Sequence, residues 1–234
     1  MEQARHALFA ALVFGLFTTI YVLQWVFQYR GGLSGEGKGL FNWHPVLQLS
    51  SFIFLNGLAI MVYRLPSSWQ GSHEQMKYIH AGLNVAAFLS AVVALSAVFG
   101  SQSSSHFPNL FSLHSWLGLT AVALFCAQIV IAASIYLFPF TPSSWRKTFM
   151  PVHTFLGRFL FGGIIAVSVI GITEALIFDL NDPKYTDSPA EAIHANIMGL
   201  LLVGYGVTVL WVSTRSGKHV SQYSQSEEAE AKVK

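Results

Sequence analysis

Six apolar runs of about 20 residues or more divide this chain, and a helix of that length is what crosses the roughly 30 Å hydrocarbon layer of a bilayer. The runs lie at about Leu8–Tyr29, His44–Tyr63, Tyr78–Phe99, Ser112–Phe138, Val152–Phe178 and Ala192–Ser213. Polar, glycine-rich or proline-bearing stretches separate them, such as Gly31 to Lys38, Pro66-Ser67-Ser68 and Asp179 to Pro189. Runs this long do not alternate, so a membrane β-barrel is excluded. The first is too long for a signal-peptide core. Charged residues are only 10% of the 234, against about 25% in a soluble domain, too few to coat a water-soluble globule. The expected fold is an all-α integral membrane protein of six transmembrane helices. A net charge of +2 offers no footprint for nucleic acid. The single cysteine, Cys126, rules out an intrachain disulfide and reads as packing.

Six spans place both termini on one side. The termini and even-numbered connections hold Arg5, Arg64, Lys77, Arg146, Lys147, Arg215, Lys218, Lys232 and Lys234, while the opposite side holds Arg30, Lys38 and Lys184. The positive-inside bias therefore predicts cytosolic termini. Residues 1–215 form the expected membrane domain and 216–234 a flexible cytosolic tail. Arg158 falls inside the fifth span.

Four histidines open four successive spans: His44, His80, His114 and His153. An ionisable residue within a span is expensive and usually has a partner and a purpose. Any one alone could be a packing residue; four in register are harder to explain that way. Spans two and four run inward, so His44 and His114 share the outer level. Spans three and five run outward, so His80 and His153 share the inner level. Zinc needs more ligands than two imidazoles supply, and no Cys, Asp or Glu stands near either pair in sequence. Haem iron needs only two axial ligands. Gly118 and Gly157 follow His114 and His153 by four residues, and Gly82 and Gly57 provide similar openings for a macrocycle; close helix packing would also explain them. Without Cys-x-x-Cys-His the haem would be non-covalent, of b type. Ligands one turn in from each face put the two irons on the order of 20 Å apart.

The segments Phe41 to Leu47, Tyr63 to Pro66, Lys77 to Asn84, Asn109 to Trp116 and Met150 to His153 resemble the eukaryotic cytochrome b561 family, most nearly its animal duodenal and lysosomal branches. The Ser-Leu-His-Ser-Trp motif at 112–116 and the four-histidine register carry the likeness. The resemblance implies that helices two to five form a bundle around two bis-histidine b haems, His44 with His114 and His80 with His153, commonly in a homodimer in contact with membrane lipid. It implies electron transfer from cytosolic ascorbate to a ferric iron complex or monodehydroascorbate. Where some members carry a second histidine four residues after the one that opens span three, this chain has Asn84, which leaves His80 as the candidate.

Lys77 and Arg146 match the family's cytosolic ascorbate residues, with Lys147 and Arg64 as less certain neighbours; all four also satisfy the positive-inside rule. A further family lysine is His73 here. On the outer side, His106 and Asn109 match residues that meet outer ascorbate or the acceptor, Phe111 replaces a common tyrosine, and Arg30 and Lys38 are expected to attract an anion. Glu174, Asn196, Gln128 and Asn56 are expected to hydrogen-bond between helices. Two other readings compete: a transporter or channel relaying protons through its histidines, and a haem-carrying subunit of a larger enzyme. The expected location is the plasma membrane or an endosomal, lysosomal or secretory-vesicle membrane.

Overall fold

The computed structural model describes residues 2–65, 71–138 and 140–214. The expected tail at 216–234, together with Arg215 and the Pro66-Ser67-Ser68 break, lies outside the described residues. Within them the fold is helical, and six helical rods are long and apolar enough to span a membrane. The first is α1 (Glu2–Tyr29). The second is composite: α2 (Gly37–Phe41), α3 (Trp43–Leu47), a π-helical stretch at Gln48–Ile53, α4 (Phe54–Met61) and a 3₁₀ turn at Val62–Arg64. Then come α5 (His73–Ser104), α6 (Leu113–Ala132) with a π-helical end at Ala133–Leu137, α7 (Ser143–Asp179) and α8 (Ala190–Thr214).

The helix starts that carry the histidines have local causes. Ser72 caps α5: its Oγ accepts from the Gln75 backbone at 3.2 Å, and Gln75 Oε1 accepts from the Ser72 N–H at 2.8 Å. Ser112 and Ser115 do the same for α6. The Ser-Leu-His-Ser motif is thus a reciprocal cap that places His114 in the first turn. In α3, Pro45 sits in the first turn, where its missing N–H is no loss, and His44 precedes it.

Two spans run further than the apolar pattern predicts. The fifth begins at Ser143, nine residues before Val152, and passes through Pro151 without a break. At 37 residues and 1.5 Å per residue it measures about 55 Å, longer than the hydrocarbon is thick. Its first turns therefore project from the apolar layer and carry Arg146 with them. The third begins at His73, which brings Lys77 into its second turn.

α1 lies antiparallel against α8, α4 against α5, and α6 against α7. Trp25, Phe52, Phe161 and Tyr205 are the largest fully buried side chains. Tyr205 of α8 donates from its hydroxyl to the Phe54 carbonyl at 2.9 Å, and a Cβ at Gly57 would overlap that hydroxyl. Gly57 therefore admits Tyr205. It does not open a slot for a macrocycle, which corrects the expectation. The turn after α1 passes through Gly31 and Gly32, both in the left-handed region that costs glycine nothing. Asn42, 3% exposed, holds this turn by donating from Nδ2 to the Arg30 carbonyl at 2.9 Å and the Gly32 carbonyl at 2.7 Å. Asn42→Ala leaves both carbonyls without that donor. We expect it to cost about 1–3 kcal/mol, read as a lower thermal midpoint of the purified protein.

Candidate functional site

Two imidazole pairs lie inside the bundle. The His44 and His114 ring centroids are 6.1 Å apart with planes at 83°, and those of His80 and His153 are 6.2 Å apart at 78°. All four side chains are half-buried. The backbone of Ala94 faces His44, and Ala94 is fourteen residues beyond His80 on α5. His114 meets the Val167 carbonyl, fourteen residues beyond His153 on α7. Two helices thus give the same separation between levels, about 21 Å at 1.5 Å per residue.

The ring nitrogens are sorted by their partners. His80 Nδ1 sits 2.8 Å from the Ala59 carbonyl, and His114 Nδ1 sits 3.0 Å from that of Val167. A ring that donates Nδ1–H to a backbone carbonyl has its Nε2 lone pair left for a metal, the usual arrangement around a ligating histidine. A centroid spacing near 6 Å suits one metal between two rings, with about 2 Å from nitrogen to metal and about 1 Å from nitrogen to ring centre on each side. His44 Nδ1 is buried with no partner in hydrogen-bonding geometry. Among the described residues no cluster of three His, Cys, Asp or Glu side chains could hold a metal ion by itself. The donor set therefore fits a group that brings its own equatorial ligands.

The glycines around the pairs differ in what they do. Apart from its own helical turn, nothing lies within 4 Å of where a Cβ would sit at Gly82, and at Gly118 the neighbour is Val167 Cγ1 at 3.7 Å. Gly157 faces Gln128 Nε2 at 3.0 Å, which donates to the His153 carbonyl at 3.2 Å. Gly171 was missed in the sequence, yet a Cβ there would overlap the His114 ring. It lies four residues after Val167, beside the carbonyl that His114 reaches. Its signal was only that of a small residue in an apolar helix.

Between the levels, Phe52 and Phe125 meet edge to face at 5.0 Å, both buried. At the basic end, Tyr63 lies 5.5 Å from His80 and 6.0 Å from His73, and Tyr136 lies 5.5 Å from His153. Neither tyrosine was singled out in the sequence, since apolar spans commonly end in aromatics. Arg146 donates from Nη2 to the Phe138 carbonyl at 3.0 Å, while its Nε is buried without a partner. Lys77 Nζ lies 5.4 Å over the Tyr78 ring. Lys147 is exposed. Arg64 points elsewhere, donating to the Ser213 carbonyl at 3.0 Å.

At the opposite end, His106 and Asn109 are exposed on the loop before α6. His106 adopts a left-handed φ of 54°. Phe111 packs with Phe107 at 5.0 Å and Phe178 at 5.6 Å, so its ring ties this loop to the end of α7. Arg30 does not serve as a free cation, against expectation. It pairs through Nη1 with Asp179, lies 2.6 Å from Glu191 Oε1 through Nε, and stacks over Trp25 at 4.5 Å. Two carboxylates neutralise it; Lys38 remains exposed. Asn56 donates to Asn84 Oδ1 at 2.7 Å, and Asn84 in turn donates to the His80 carbonyl at 2.9 Å. Asn196 accepts from Tyr185 at 2.9 Å, so these amides do join elements as expected. Glu174 lies half-buried in α7, and Cys126 is a free, half-buried thiol.

A six-span helical bundle with two levels of facing imidazoles is the architecture of a membrane cytochrome. The sequence profile of eukaryotic cytochrome b561 matches residues 43–179, a stretch that contains all four histidines, Lys77, His106, Asn109 and Arg146. The chain belongs to the eukaryotic cytochrome b561 family, an integral membrane family that binds haem b. It is 48% identical over 208 residues to the plasma membrane ascorbate-dependent reductase CYBRD1 of Xenopus laevis, covering 88% of this chain and 74% of that one. It is 44% identical over 207 residues to CYBRD1 of Homo sapiens, covering 88% and 72%. With the lysosomal membrane ascorbate-dependent ferrireductase CYB561A3 of Rattus norvegicus it shares 42% over 200 residues, covering 84% and 77%.

Gly171→Ala should push His114 away from Val167 and lower the haem b bound per chain, measured by absorbance of the pyridine complex. Gly199→Ala, where a Cβ meets no atom within 4 Å, should leave haem content unchanged.

Proposed function

We propose that this protein is an ascorbate-dependent transmembrane reductase, taking electrons from ascorbate on the cytosolic face and delivering them to a ferric iron complex or monodehydroascorbate on the other. The observation that carries this reading is the pair of imidazole levels about 21 Å apart, which together reach across the apolar layer. His44 and His114 would hold one b haem and His80 and His153 a second, and these groups supply a one-electron carrier at each level. The relatives named ascorbate-dependent reductase and ferrireductase support the same donor and acceptor.

The chain's own residues do the rest. Nδ1 contacts to Ala59 and Val167 orient the rings. Lys77 and Arg146 would bind the ascorbate anion beside the inner pair, the buried Nε of Arg146 being a donor without a protein acceptor. His73 and Tyr63 flank the same approach. His106 and Asn109 would meet the acceptor at the opposite mouth, with Lys38 supplying positive charge. The basic end, where Arg64, Lys77, Arg146 and Lys147 gather, is read as cytosolic. The protein is read as a homodimer in lipid.

The test is transport in vesicles loaded with a ferric chelate, with ascorbate added on the Lys77 side. Reduction inside the vesicle by the protein alone is expected; a colourless protein with no reduction would overturn the reading. In this assay Lys77→Ala and Arg146→Ala should weaken apparent ascorbate affinity by about tenfold to a hundredfold while both haem spectra persist. Unchanged ascorbate kinetics would leave these cations as topology signals.

The pairing makes a separate prediction. His44→Ala and His114→Ala should remove one and the same haem, and His80→Ala and His153→Ala the other. Redox titration with absorbance reads which component is lost. Loss of the same component from His44→Ala and His80→Ala would contradict the levels.

A further inference from the structure

Arg158 is an ionisable residue inside the fifth span that the function above does not use. On α7 it lies five residues after His153, about 140° further round the helix at 3.6 residues per turn, so it faces away from the imidazole pair. Its Nη2 donates to the Ser213 carbonyl at 2.6 Å. Arg64, at the end of the second span, donates from Nη2 to the same oxygen at 3.0 Å. Two guanidinium groups therefore converge on one carbonyl in the last turn of α8.

That carbonyl explains only part of the arrangement. It is a neutral backbone oxygen in the last described turn of α8, with two lone pairs and no net charge of its own to offset the guanidinium groups. Each guanidinium has five N–H donors, and a single backbone oxygen engages one from each. Among the described residues the ion pairs are those of Arg30 with Asp179 and Glu191, at the other end of the bundle. No carboxylate pairs with Arg64 or Arg158 there. Among the described residues, the junction of α4, α7 and α8 thus holds two adjacent positive charges and one neutral acceptor, at the rim of the apolar layer.

The surroundings indicate the occupant. Phe155 and Phe159 flank Arg158 on α7, stacked on each other at 6.1 Å and 65% and 63% exposed, as lipid-facing rings are. Beyond Arg158 the seam between α7 and α8 runs past Gly162, where a Cβ would come within 3.8 Å of Leu210. We propose that Arg64 and Arg158 form a binding site for the phosphate of an anionic phospholipid of the cytosolic leaflet, with an acyl chain lying along the α7–α8 seam.

The experiment uses the full-length, haem-loaded protein in detergent, delipidated and titrated with phosphatidylserine or phosphatidylcholine, with bound lipid counted by native mass spectrometry. The wild type should prefer phosphatidylserine by about tenfold, given the attraction expected of each arginine near an anionic headgroup. Arg158→Gln should bring the preference close to parity while haem absorbance stays unchanged. Arg158→Lys, which keeps the charge but loses the planar fork, should fall between. Millimolar inorganic phosphate should leave the bound lipid in place. Absence of a preference in the wild type would overturn the site even if the glutamine variant failed to fold. A preference unaltered in Arg158→Gln would also overturn it, as would displacement of lipid by inorganic phosphate, which would mark a site for a soluble anion. None of these readouts depends on ascorbate or on iron reduction.

Discussion

An imidazole inside a membrane is best held for ligation when protein satisfies one ring nitrogen and leaves the other free. His80 and His114 do this with backbone carbonyls of neighbouring helices, Ala59 and Val167. These carbonyls already take part in helix bonds, but a carbonyl has a second lone pair. Reaching it requires local accommodation. Three residues after Ala59 the chain changes from α4 to a 3₁₀ turn, and the Val62 N–H bonds back to the Ala59 carbonyl. At Val167 the residue one turn on is Gly171, whose missing side chain makes room for the ring. Much of the bundle's detail near the pairs serves this one requirement.

The two ends of the bundle treat charge differently. At the acidic end Arg30 is enclosed by Asp179, Glu191 and Trp25, and Trp25 also donates to Glu191 at 3.0 Å. This ties α1, α7 and α8 together and leaves the approach to His44 and His114 to the loop bearing His106 and Asn109. At the basic end the cations divide into two groups. Arg146 and Lys77 lie on the side of His80 and His153, while Arg64 and Arg158 turn to the end of α8. A count of positive residues treats all four alike, though they face different neighbours.

The six spans and the sorting of the four histidines into two levels were legible in the sequence because they rest on length, hydropathy and the alternating direction of successive helices, although α5 and α7 begin seven and ten residues before His80 and His153. The Ser112 cap was legible in the same way, being a local pattern. The roles of Gly57 and Gly171 were not: a glycine in an apolar helix has the same local signature whether it admits Tyr205, clears space for His114 or fronts an open slot. Nor could the sequence distinguish an Arg30 that attracts substrate from one held by carboxylates 149 and 161 residues away in the chain.

The sequence by itself determined the membrane class, the six helices long enough to cross and which histidines share a level, since a helix's rise per residue and the bilayer's thickness leave little freedom in those quantities. Only the tertiary structure decided which carbonyl each ring meets, which glycine yields to which side chain and which cations remain available. Those outcomes depend on how helices distant in the chain are rotated against one another, and hydrophobic periodicity is weak in spans that are apolar all round.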